Sequence, residues 1–411
     1  MHPQRTILHN ELHARPSMYF EAPAHVFHLA FLDDHDSPAT VLHALAARHA
    51  VLMHTAAPQG EFLVDGARLK WERHNEFVTL TLLAAAAMDT HWPGLPPVLA
   101  EIADRYGNLL INADQVCVET ESTWRGSVEA YGLHDPVGST LGDGRADAWS
   151  DLRLHDNDLN RILVLNHTLD ARRLGRMVRR LLEIETYRLM ASLTLPVARA
   201  LQPDLVKFEQ ELVALSDANA STGSDNVKAL LADITSLSAR ITQATARSRL
   251  RFSAAEAYAE LVSERIAQLH EGRVGDCQRL GSYIAQRFRP TVRYCVVTHR
   301  RLTTVNDAVA RLGNLLQARV QVEVEEQNGR ILGSLSTRAE TQIRIQRAVE
   351  GLSIIAISYY LFSVARLLYK GLHTLGLDVS PRTALLTSAP VVAVILATAA
   401  YRIVRVRHHP S

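Results

Sequence analysis

The carboxy-terminal part of the chain carries two apolar stretches, at 352–369 and 383–401, separated by a short turn and closed by Arg402, Arg405 and Arg407. Each approaches the roughly 20 residues that an α-helix needs to cross a hydrocarbon core. A chain with such an end is expected to be a water-soluble body on a two-helix transmembrane hairpin, with the lipid bilayer as its first partner.

Neither stretch is uniformly apolar. The hydroxyls of Ser353, Ser358 and Ser363 can bond back to their own helix or across to a neighbour. Together with Tyr359, Tyr360 and Pro390 they are the positions expected to pack helix against helix. Pro390 lacks an amide donor and should kink the second span. Arg366 lies within one turn of a span end and can snorkel to the headgroups. Tyr369 and Tyr401 close the spans where amphipathic rings favour the interface. Arg338, Arg344 and Arg347 precede the first span and three arginines follow the second, whereas the turn offers only Lys370 and Arg382. The positive-inside bias therefore predicts both termini in the cytoplasm. No apolar signal region follows Met1, so the amino-terminal body is expected in the cytosol.

With 44 Lys+Arg against 43 Asp+Glu, the chain lacks the concentrated basic excess of a nucleic-acid binder. Cys117, Cys277 and Cys295 are far apart and show no zinc spacing, so they read as reduced thiols. The fold class expected is α+β, in three parts. Residues 1–168 form a mixed α/β sheet domain, 169–348 a long helical, coiled-coil-like bundle and stalk, and 349–411 the membrane part, with spans at about 350–369 and 383–401. Strands are predicted over 25–32, 68–74, 76–83, 115–121, 127–132 and 161–166, with a tight hairpin at Asn75 and a helix over 38–48. A helix over 172–190 should end near Pro196. A polar break over 219–226 ends in an N-cap. Val227, Leu230, Ile234, Leu237, Ile241 and Ala244 then repeat as a short heptad seam. Tyr258, Leu261, Val262, Ile266 and Leu269 offer a second stripe, predicting an antiparallel helical hairpin. The seam and the span serines together predict a homo-oligomer. From about Thr304 a helix should feed the first span, with Gly329 and Gly333 as weak points.

The amino terminus reads Leu8, His9, Asn10, Glu11, Leu12, His13, Ala14, Arg15, Pro16. On a helix His9 and His13 would share a face with Glu11 between them, a candidate metal site for a divalent cation. The spacing is not the H-E-x-x-H of zinc proteases. Gly138 to Gly144 is glycine-rich but placed as a turn. Asp156, Asn157 and Asp158 read as a capped turn. Arg172, Arg173, Arg176, Arg179 and Arg180 read as a solvated helix face paired with Glu183 and Glu185, with anionic lipid or phosphate as the alternative partner.

The motif from Leu8 to Pro16, the run 180–188 and the run 349–360 resemble, in the right order, the signatures of a bacterial family of uncharacterised membrane-anchored proteins. The resemblance covers essentially the whole chain. It implies a cytosolic region on a carboxy-terminal hairpin in the bacterial inner membrane, and no reaction, cofactor or catalytic residue. The layout is also similar to the CorA-type magnesium channels. Those carry Gly-Met-Asn after the first span, where this chain has Tyr369, Lys370, Gly371 and Leu372.

With no P-loop, dinucleotide fingerprint or nucleophile elbow, the expectation is a non-enzymatic, membrane-anchored binding or scaffolding protein. The alternative is a CorA-like oligomeric cation channel.

Overall fold

The computed structural model describes residues 2, 4–5, 16–32, 41, 45, 58–85, 90–155, 157–221, 226–375, 382, 386, 389–390, 393–394, 397 and 401. The chain divides into two compact units, Met1–Leu315 and Leu316–Ser411.

The first unit is built on one mixed sheet. Its strands are β1 (Ala24–Leu32), β2 (Gln59–Val64), β3 (Ala67–Arg73), β4 (Phe77–Ala85), β5 (Leu110–Thr120), β6 (Val137–Leu141), β7 (Ala146–Leu154), β8 (Asn160–Asn166) and the two-residue β9 (Gly272–Arg273). Their order is β2-β3-β4-β1-β5-β8-β7-β6-β9. The β5–β8 pair is parallel and the others are antiparallel. Successive side chains of a strand point to opposite faces, so each strand serves two cores. One face contributes Val26, Leu83, Val116, Val118, Ile162 and Val164 to a core closed by Leu174, Val178, Leu181 and Leu182 of a long helix. The other contributes Phe27, Leu29, Phe31, Leu80 and Leu82, closed by Val98, Leu99 and Ile102 of helix α1 (Pro97–Arg105). Towards β7 that second face is covered by Tyr131, Trp149, Trp92 and Trp124.

The expected strands at 25–32, 68–74, 76–83, 115–121 and 161–166 match β1, β3, β4, β5 and β8, and the turn at Asn75 joins β3 to β4. The strand expected over 127–132 is instead a 3-10 turn, Glu129–Tyr131, closed by Gly132 in the left-handed region. The glycine-rich run is strand as far as Leu141, with its turn confined to Gly142–Gly144. Most of the helix expected over 38–48 lies outside the described residues, within which Val41 and Leu45 are helical and buried. Asp158 sits in a turn, its amide donating to the His155 carbonyl, while Asp156 is outside the described residues.

Four long helices follow: α2 (Ala171–Ser192), α3 (Thr194–Ser221), α4 (Val227–Gln268) and α5 (Leu280–Thr374). The Asp170 carboxylate caps α2 by accepting the Arg173 amide at 2.9 Å. Pro196 does not end this helix, since α3 starts at Thr194 and contains it. Asn226 holds the N-cap position of α4 without a side-chain cap bond. The two apolar stripes expected to form a hairpin lie on the single helix α4, which packs along α2 and α3. Val227, Leu230, Ile234, Leu237 and Ile241 of the seam are buried within the chain itself, so the seam no longer argues for a coiled coil between copies.

In the second unit α5 continues through Gly329 and Gly333 without interruption. Among the described residues it is the one helix long and apolar enough to cross a membrane, and no part of its apolar window is buried. Ser353 and Ser358 donate back to the Val349 and Ile354 carbonyls at 2.9 and 2.8 Å. Tyr359 and Tyr360 are exposed and meet edge to face, and Ser363 is half-buried in the same helix. Pro390 is helical and exposed, but the turn and most of the second stretch lie outside the described residues.

Two glycines fix how the outer strands meet their neighbours. Gly60 pairs with Trp71 and Gly138 with Trp149 in cross-strand register. In both pairs the indole lies over the glycine, where an added Cβ would come within 2.4 and 2.3 Å of it. Gly60→Ala and Gly138→Ala should each cost about 1–3 kcal/mol through overpacking. Gly107→Ala, which meets nothing within 4 Å, should change stability by no more than about 0.5 kcal/mol in the same denaturant titration.

Candidate functional site

The face of the sheet beneath α2 carries a row of polar residues where an apolar row is the norm. Lys70 of β3 pairs with Thr81 of β4, Thr81 with His28 of β1, His28 with Asp114 of β5, and Asp114 with Asn160 of β8. Five adjacent strands thus place a polar side chain at one level. Lys70, His28, Asp114 and Asn160 are all buried, and buried polar groups need partners. His28 meets the Thr81 hydroxyl at 2.8 Å and that of Thr186, on α2, at 3.2 Å. Asn112 donates to Asp114 at 2.7 Å and to Thr186 at 3.1 Å, and Asn160 donates to the other Asp114 oxygen at 2.8 Å. Glu185 of α2 faces Asp114 and is held by Arg188 at 2.6 Å. Burial, then the neighbouring Glu185 charge, lifts the Asp114 carboxyl to about 7. Burial lowers His28 to about 4, so its ring is neutral.

At its β3 end the row becomes a chain of ion pairs. Lys70 binds Glu72 at 2.9 Å, Arg179 reaches Glu72 at 3.2 Å and Glu183 at 2.6 Å, and Arg265 of α4 closes on the other Glu183 oxygen. Lys70 also donates to the Pro16 carbonyl. Two cavities flank this chain. The inner one, about 50 Å³, lies between His28, Lys70, Thr81 and Thr186, with room for about one or two waters. The outer one, about 360 Å³, is lined by Arg176, Arg179, Arg180 and Arg265 against a single carboxylate, Glu183, with His74, Tyr187, Ser17 and Gln268 completing the wall. Gly175 lets the segment after Ser17 pass directly over α2, since a Cβ there would strike the Met18 carbonyl at 2.0 Å.

The sequence motif ends at this place. Pro16, its last residue, is tied to Lys70, and Ser17 lines both cavities. His9, Glu11 and His13, the expected metal site, and Leu8, Asn10, Leu12, Ala14 and Arg15 lie outside the described residues. A family model described as Protein of unknown function (DUF3422) matches residues 1–409. The chain belongs to this family. No curated protein and no solved structure matches it, so the likeness to CorA-type channels finds no support there.

In this DUF3422 chain the arginine run is divided between roles. Arg179 pairs with Glu183 as its spacing suggests, whereas Glu185 turns to Arg188 on the buried side. Lys70 and Glu72 escape a sequence reading because β3 alternates them with Leu69 and Trp71, which suggests a solvated face. Both faces of β3 are in fact covered.

The two buried titrating groups pull in opposite directions. Asp114 holds a proton in the fold up to about 7 that the unfolded chain gives up near 3.8, so its contribution to stability falls as pH rises through that window. His28 refuses a proton that the unfolded chain takes up near 6.5, so stability falls as pH drops from 6.5 towards 4. The slopes offset each other where the windows overlap. Asp114→Asn removes the opposing slope and leaves that of His28 uncompensated by it. Its thermal unfolding midpoint should drop on acidification from pH 6.5 to 4 more steeply than that of the parent protein.

Proposed function

We propose that this chain is a membrane-anchored binding protein whose α/β body holds a phosphate-class anion in the arginine-lined cavity, acting by binding and not by catalysis. The observation that carries the reading is the imbalance of charge in that cavity, four arginines to one glutamate. Arg176 is exposed and has no ion-pair partner among the described residues. Arg180 donates to the Gln268 carbonyl at 3.0 Å, and burial with the nearby Arg176 and Arg265 charges depresses its pKa below the usual arginine range. Cations crowded in this way gain from an entering anion, and guanidinium groups match phosphate oxygens in a two-pronged geometry. The volume suits a phosphate ester of modest size. Non-catalytic action is favoured because His28 and Asp114, two fully buried groups with displaced pKa values beside the cavities, are covered by α2 and spend their hydrogen bonds on neighbouring side chains.

Anchoring is supported by the exposed apolar stretch of α5. The second apolar stretch would complete a two-span hairpin in the inner membrane, with both termini cytoplasmic.

Calorimetric titration of the full chain in detergent with inorganic phosphate and pyrophosphate should give saturable binding that weakens with salt. Arg176→Ala and Arg180→Ala should each weaken it by about tenfold or more, and heat-silent titrations with both anions would refute the cavity's role. On flotation with liposomes the full chain should rise with the lipid, and the chain truncated after Arg338 should stay below. A full-length chain left at the bottom of the gradient would refute anchoring.

A further inference from the structure

The opposite face of the sheet holds a second concentration of chemistry, remote from the arginines. Cys117 and Glu119 lie two residues apart on β5 and therefore point the same way. His91, in the segment before α1, brings a ring nitrogen to 3.6 Å from the Glu119 carboxylate, and the Cys117 sulfur lies 3.5 Å from the same oxygen. One donor atom from each of the three residues falls within 4.8 Å of the other two. His25 is the register partner of Cys117 across β1–β5, which puts it on the same face, and it senses both Glu119 and His91.

The Cys117 thiol donates to Glu119, but the imidazoles of the group are poorly satisfied. A contact of 3.6 Å is too long for a hydrogen bond, and the second nitrogen of His91 is buried without a partner. The Nδ1 atom of His25 is likewise buried and unpartnered, in a residue only 5% exposed. Glu119 is 6% exposed, and among the described residues no lysine or arginine forms an ion pair with it. A buried carboxylate without a cation is costly. Burial keeps both imidazoles below the usual histidine range, which leaves each with a lone pair to give at neutral pH.

The 3.5 and 3.6 Å separations from the Glu119 oxygen are those of ligands around one small ion. Bonds of about 2.0–2.3 Å in a tetrahedron set neighbouring donors roughly 3.3–3.7 Å apart. Nitrogen, sulfur and carboxylate oxygen together suit a zinc-class ion. The surroundings are built to hold such a site still. Tyr131 meets His91 edge on at 4.7 Å, Trp124 stacks on both Tyr131 and Trp149, and Trp92 donates to the Tyr131 carbonyl at 2.7 Å.

We propose that His91, Cys117 and Glu119 bind one zinc-class divalent ion, with the fourth position open to water and His25 beside the site on the neighbouring strand. Binding releases the Cys117 thiol proton to solvent, so the sulfur enters the site as thiolate. The site is distinct from the amino-terminal histidines and independent of the anion cavity.

The full chain in detergent, stripped with chelator and reloaded, should take up one zinc per polypeptide. Loaded with cobalt(II), it should show a near-ultraviolet thiolate-to-metal band together with visible bands of tetrahedral intensity. Cys117→Ser should abolish the thiolate band, and Cys295→Ser should leave it unchanged. Should Cys117→Ser fail to fold, Glu119→Gln and His91→Ala decide the matter, each weakening zinc by more than roughly 100-fold, beyond what an outer-shell change costs. Failure of the parent protein to retain zinc, an octahedral cobalt spectrum, or a thiolate band that survives in Cys117→Ser would overturn the proposal.

Discussion

A polar row laid across the middle of a sheet must find partners on whatever covers it, and this requirement fixes how α2 sits. Thr186 answers His28 and Asn112, and Arg179 answers Glu72. Each buried group left without a partner costs about 1–3 kcal/mol. Turning α2 by one residue, about 100°, would strand several at once. A one-residue slip of β1 would move His28 to the other face altogether. Apolar contacts supply the attraction between helix and sheet. The polar row selects the single register in which that attraction is not cancelled.

Much of the sheet was legible because its inner strands obey simple patterns. β1, β4, β5 and β8 are rich in branched and aromatic residues and bounded by polar turns. β2 and β6 were not legible, since each is short and carries a glycine whose missing side chain is replaced by a tryptophan from the next strand. The two stripes of α4 were visible, but their membership of one helix was not, because a continuous helix and a hairpin leave similar apolar spacing.

The candidate sites divide along the same line. The arginines of the anion cavity stand together on one helix and could be named from sequence. Their partners Glu72 and Arg265 come from β3 and α4, which only the tertiary fold brings together. The thiol–imidazole–carboxylate group left one signal that was missed: Cys117 and Glu119 alternate in strand spacing, and His25 lies on a neighbouring strand. Metal motifs sought on helices and in paired cysteines do not detect ligands arranged by the pleat of a sheet.

The two-residue strand β9 has a consequence out of proportion to its length. It pairs with Ser139 and Thr140 on the outer side of β6. Beside it the Glu271 carboxylate accepts from the Ser139 hydroxyl at 2.9 Å and the Gly281 amide at 2.8 Å, while the Leu280 amide donates to Ser139. The join between α4 and α5 thereby clasps the open margin of the sheet. A bare margin offers unsatisfied amides and carbonyls as a template for stacking with other chains. At this margin that template is occupied from within, so a destabilised polypeptide would have to tear the clasp away before another strand could add to β6.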